Sequence, residues 1–350
     1  MIGLDPGSFG SLYCVNRFIN SCVPAITQSE FDPLKSLVFL TAVFLSLSLT
    51  AHADSHAYIT NQGSNDVSVI DVKTDKVIAT IPVGKSPVGI AIAPKFSRAF
   101  VSNVDGRSIS VIDTSSHKVI NELLINGSPV GLALSPDNSR LYIADWFDDR
   151  VIEIDVANPD SRREVSIGKA PAGMVVSPNG KYLYVANRDS NDVAVIEASS
   201  LKAVSRIPVG KHPFGIAISH DGSILFVVNV QDNSLSVVDL KHNVSRKVEV
   251  GEHPYCVTAS PDGKHVYVTN TQGDSVSVID AHRLEIVQTI AVGSFPEGIS
   301  YDSDSHKIYV ANWFDNTVSV IDTSSNTLAG TISTGTQSRA FGQFIAEIGQ

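Results

Sequence analysis

Two histidines stand directly before prolines in matching segments, His212 in KHPFG and His253 in EHPYC, and a third segment of this kind, SFPEG, carries Glu297. Imidazole exchanges its proton near neutral pH and binds divalent metals, and a nearby carboxylate can share either task. His212 and His253, with Glu252 or Glu297, would thus suit a divalent metal or acid–base work on a lactone or related ester. Catalytic zinc commonly takes three protein ligands. No third one is encoded here, so no cofactor is expected, with the two histidines as the only metal candidates. Phe214, Tyr255, Cys256 and Phe295 fall in the same three segments, and Arg339 lies in a corresponding altered stretch, RAFG. The two tryptophans of the chain head similar loops, Trp146–Phe147 in DWFDDR and Trp313–Phe314 in NWFDNT. Large aromatics on polar loops either stack on a ligand or anchor a partner, or else fill a gap between packed units.

What must position these residues is a repeat. The strings AYITN, AFVSN, LYIAD, LYVAN, LFVVN, VYVTN and IYVAN end at Asn61, Asn103, Asp145, Asn187, Asn229, Asn270 and Asn312, a spacing of about 42 residues. VSVID-like strings follow each at constant distance, then segments such as VIATIPVG and SPVGIAIAP. Four short alternating segments punctuated by Gly, Pro, Asn and Asp read as four antiparallel strands. A unit this small buries its faces only against neighbours, and a ring of units does so without long exposed edges. The expected fold is all-β: a seven-bladed β-propeller over residues 54–350 with four antiparallel strands per blade. The ring is closed by three N-terminal strands plus one C-terminal strand, from about Arg339 to Ile348. In the last copy Phe341 is expected at the position x of PxG that holds Val88, Val130, Ala172, Phe214, Tyr255 and Glu297 elsewhere.

Residues 34–53 hold one Lys, a short apolar run and Ala51-His52-Ala53, the layout of a signal peptide cleaved before Asp54. Residues 1–33 have no place before such a signal and are expected to be an untranslated or disordered extension. The run is too short for a membrane span, so a periplasmic or secreted domain with no span after cleavage is expected. Cys256 is then the single cysteine of the domain, which excludes an internal disulfide. The formal net charge is −10. Nucleic-acid binding needs a strong basic field, so it is not expected.

Seven copies provide an internal control. Asn or Asp ending the YVAN string and the acid ending VSVID recur in every copy, which marks them as turn-forming scaffold residues. His117, His242 and His282, and His220, His265 and His306, fall in turns and read as solvated. The PxG entry loops and the loops after YVAN share one face with His212, His253 and both Trp pairs; the SPDG-type turns lie on the other. Asp302 and Asp304 in YDSDSHK read as a variant of such a turn, without the spaced oxygen ligands of a calcium loop. A Gly-x-x-x-x-Gly-Lys-Ser/Thr phosphate loop, a Gly-x-Ser-x-Gly elbow and a Cys-x-x-Cys pair are absent.

The strings YVTN at 267–270, YVAN at 184–187 and 309–312, and VSVID resemble the YVTN β-propeller repeat family in its bacterial periplasmic branch, over residues 57–348. WD40 signatures are missing. The resemblance implies kinship with propellers of varied roles: lactone hydrolases, a haem-binding domain of a periplasmic nitrite reductase, and amine dehydrogenase heavy chains. None of their catalytic motifs recurs here, and fold alone does not assign function. The leading expectation is a non-enzymatic, monomeric binding or scaffolding propeller whose channel-mouth face takes a periplasmic protein or small-molecule ligand. The alternatives are a metal-assisted lactone or ester hydrolase and a haem- or quinone-linked redox accessory protein.

Overall fold

The structure is a computed structural model that describes residues 54–348; the readings of residues 1–33 and 34–53 lie outside the described residues. Seven four-stranded antiparallel sheets form the blades. Blade 1 takes its inner strand from the C-terminus, Ile345–Ile348, and the others from Asp54–Asn61, Asp66–Asp71 and Lys76–Pro82, with Ala57 paired to Ile345. Blades 2 to 7 begin with inner strands Pro87–Ala93, Pro129–Leu134, Pro171–Val176, Pro213–Ile218, Pro254–Ala259 and Pro296–Asp302. The only helical segments among the described residues are two single 3-10 turns, Pro94–Phe96 and Arg188–Ser190. No helix among these residues is long and apolar enough to cross a membrane.

The second and third strands of each blade are buried on both faces, because each is covered by the blade before and the blade after. The outermost strand faces solvent except for one inward residue per copy, such as Ile81 or Val248. The ring seam is tied by Lys307 Nζ to Asp75 Oδ2 at 2.7 Å and by Tyr309, whose hydroxyl reaches Asp75 Oδ1 at 2.5 Å.

The recurrent asparagines are scaffold, but not through the local turn bonds expected for them. They are fully buried, and Asn103, for instance, donates to the hydroxyls of Ser108 and Ser110 in the facing strand at 3.1 and 2.9 Å. The loop glycine above packs on this carboxamide; a Cβ at Gly84 would come within 2.4 Å of Asn103 Nδ2. Blade 3 replaces the amide by Asp145, neutralised by Arg150 Nε at 2.9 Å.

In blades 2 to 7 the pairing register slips just after the first proline of the inner strand. A bulge re-aims a side chain, and here it turns position x toward the ring axis. Blade 1 departs further. Ser338 pairs with Asn61 as Pro87 pairs with Asn103, yet five residues carry Pro87 to Ile92 and seven carry Ser338 to the equivalent Ile345. The regular strand therefore starts at Ile345, not near Arg339. The two surplus residues place Arg339, not Phe341, at position x.

Candidate functional site

The seven residues at position x are thus Val88, Val130, Ala172, Phe214, Tyr255, Glu297 and Arg339. They meet at the upper end of the channel, where Val88, Val130, Ala172, Phe214, Cys256 and Phe341 form one apolar cluster. The displaced Phe341 hangs inside it, its N–H donating to Val88 O at 3.1 Å and its carbonyl accepting from Ile90 N at 2.9 Å. Its ring lies 4.9 Å from that of Phe214. The upper end of the channel is closed by this apolar plug.

Polar groups complete one sector of this plug. Arg339 Nε lies 2.5 Å from Glu297 Oε2, and Arg339 donates through its second terminal nitrogen to Tyr255 Oη at 2.6 Å. The Glu297 side chain is 5% exposed and that of Arg339 21%, so the pair lies just beneath the surface. Burial pushes the Glu297 carboxyl above the ordinary carboxylate value, against the pull of Arg339. Burial also raises the Tyr255 phenol, which stays protonated.

From this sector contacts run outward both ways. Tyr255 packs on Phe214 at 4.2 Å, and Phe214 on Trp146 at 5.9 Å. Arg188 covers the Trp146 ring at 5.7 Å. On the other side, Gln62 Oε1 accepts from Arg339 at 3.1 Å and from Trp313 Nε1 at 3.3 Å. Trp313 then stacks edge-on with Phe314 at 4.7 Å, and Phe295 joins both. One continuous band therefore crosses the upper face from the Trp146 loop of blade 3 to the Trp313 loop of blade 7. Both tryptophans are half-buried within it, whereas Phe147 and Phe314 stand 74% and 61% exposed at its ends.

His212 and His253 stay outside this band. Each occupies a left-handed position, φ 52° and 50°, and its backbone N–H donates to Asn191 or Asn233 of the preceding blade at 2.9 Å. Ser86, Ala170, Phe295 and Gln337 hold the same position with the same bond, so the site demands a backbone conformation rather than an imidazole. Burial and the Arg188 guanidinium hold His212 below its ordinary value, against Asp189. Among the described residues no hydrogen bond or ion pair joins either ring to Glu252 or Glu297, and no group of three or more His, Cys, Asp or Glu is arranged to hold a metal. Glu252 is exposed. Asp302 accepts from Ser305 N and Oγ, as a turn residue does.

Sequence reasoning missed Gln62 and Arg188, whose loops looked ordinary. It misplaced Phe341 by anchoring on Gly342. The usable signal was the four-residue step from the loop glycine to position x, Gly210 to Phe214 or Gly251 to Tyr255, which runs from Gly335 to Arg339.

Residues 150–259 match the family described as "Lactonase, 7-bladed beta-propeller". That stretch contains His212, Phe214, His253 and Tyr255 but neither Glu297 nor Arg339. Comparison with curated proteins gives no match. Among solved structures, hydrazine synthase of Kuenenia stuttgartiensis superposes with a TM-score of 0.68 at 20% identity, covering 76% of this chain and 91% of that one. A functionally unknown protein from Desulfotomaculum acetoxidans gives 0.72 at 17% identity, covering 83% and 98%. The dihydro-heme d1 dehydrogenase NirN, solved with the ligand DHE, gives 0.62 at 16% identity, covering 79% and 63%. At these identities the likeness shows the propeller fold alone.

Proposed function

We propose that this chain is a secreted or periplasmic propeller of the YVTN kind that works by binding, presenting its upper face to a protein partner. The observation that supports this most is the continuous band from Trp146 to Trp313 with Phe147 and Phe314 projecting from its ends. Trp, Tyr and Arg dominate the energetics of protein interfaces, and fully packed anchors ringed by polar residues are typical of them. Trp146 is braced by Phe214 and Trp313 by Gln62, so little side-chain entropy is lost when these two rings are covered. Phe147→Ser with Phe314→Ser removes the exposed apolar area and leaves the plug intact, giving up only the Phe314 ring contacts with Trp313 and Phe295. In capture from a periplasmic extract of the native host, the double variant is expected to lose the partner at least about tenfold, with its melting temperature lowered by no more than about a few degrees. Equal capture by both proteins would refute the role of this face.

A second reading, hydrolysis of a lactone or related ester, is favoured by the family match over residues 150–259. It requires His212 or His253 to act as base or metal ligand. It predicts turnover of a lactone panel that falls when both are changed to Ala, and absence of turnover with and without added divalent ions removes it.

A further inference from the structure

Beneath the plug the channel widens into a cavity of about 520 Å³ that opens among the SPDG-type turns of the lower face. Cys256 and Phe341 close its upper end, and Ser135, His220, Ser260 and Ser303 stand at its mouth. Three features restrict what it can hold. No Asp, Glu, Lys or Arg lines it among the described residues, so a charged ligand would give up its hydration without meeting a counter-charge. The turns at the mouth carry Asp137 and Asp221, whose carboxyls are held at about 2 chiefly by bonds from Ser135, Ser139, Ser219 and Ser223 hydroxyls; Lys95 stands near Asp137, so it is Asp221 that sets a fixed negative charge against an approaching anion. The inner strands of blades 2 to 7 are paired along one edge only, so their other edges turn unpaired N–H and C=O groups toward the axis.

Phe341 shows how such an edge is satisfied. Its own amide bridges Val88 and Ile90 in parallel fashion, donating once and accepting once. We infer that the cavity is a second binding site, distinct from the upper face, for a small uncharged molecule that carries both a hydrogen-bond donor and an acceptor. Apolar walls from Met174, Ile218 and their neighbours take its body, and the strand edges take its polar group. The site enters from the lower face, so its failure would leave the upper-face proposal untouched.

Dansyl amide and dansyl sulfonate share one fluorescent ring system and differ in charge. Titration of the protein at pH 7 is expected to show saturable, blue-shifted fluorescence for the neutral amide and affinity at least about tenfold weaker for the anion. Cys256, 5% exposed at the blind end, is the reporter: dansyl amide should slow its labelling by N-ethylmaleimide several-fold, read by peptide mass spectrometry. Thr258→Trp, or Ser303→Trp at the exposed mouth should the first variant misfold, is expected to abolish amide binding. Absence of saturable binding, equal binding of the anion, or binding that leaves Cys256 labelling unchanged would overturn the inference. Should Cys256 resist labelling even in the free protein, the Trp variants decide, and undiminished affinity in them overturns it.

Discussion

Arg339 places a guanidinium where six other blades offer Val88, Val130, Ala172, Phe214, Tyr255 and Glu297, and its charge is tolerated because Glu297, Tyr255 and Gln62 all face it. Removing one member of a buried ion pair strands the other, at a cost of about 3 kcal/mol or more, whereas replacing both by apolar groups is often nearly neutral. Arg339→Met is therefore expected to lower unfolding free energy by about 3 kcal/mol in urea titration, and Glu297→Met added to it should restore most of the loss. Additive losses in that cycle would show that the two side chains do not act as a pair. At this scale the sequence was informative where copies differ. Phe214, Tyr255, Glu297 and the Trp loops stood out from the Val and Ala of their counterparts, and all of them meet in one band. His212 and His253 also stood out, yet their position asks for a left-handed backbone, which Ser86, Ala170 and Phe295 supply equally well. Phe295 at that same position does join the band, because its own blade carries Trp313 and Phe314 beside it, so residue type and backbone position alone could not separate these cases; the neighbouring loop decides.

At the level of elements, the decisive irregularity is the two-residue surplus between Ser338 and Ile345, which bends the closing segment inward and makes Phe341 the cap of the channel. A count from Gly335 locates the surplus, but where the extra residues go is a matter of packing against blade 2. Phe341 is 4% exposed among Val88, Val130, Ala172 and Phe214, so Phe341→Ala opens a cavity and is expected to cost about 3 kcal/mol. Labelling of Cys256 by N-ethylmaleimide should quicken at the same time, because the two residues share the blind end of the lower cavity. Unaltered stability and labelling would mean that Phe341 caps nothing.

For the whole molecule, seven strings at near-constant spacing were enough to read the ring, the four strands per blade and the closure by both chain ends. Each blade buries its second and third strands only against its neighbours, so the repeat number sets the architecture. The lower cavity was not legible, because its walls combine unpaired strand edges with apolar side chains such as Met174 and Ile218 that the sequence pattern does not distinguish from core, and His220 looked like any turn residue. The two faces thus carry different chemistry: an aromatic and cationic band above, an uncharged cavity below. A photo-crosslinking amino acid, p-benzoylphenylalanine, placed in turn at Phe147, Phe314 and the exposed lower-face residue Lys241 in cells of the native host tests the binding role of the upper face most directly. The prediction is one adduct of the same mass from positions 147 and 314 and none from 241; no adduct from the upper positions, or the same adduct from all three, would contradict it.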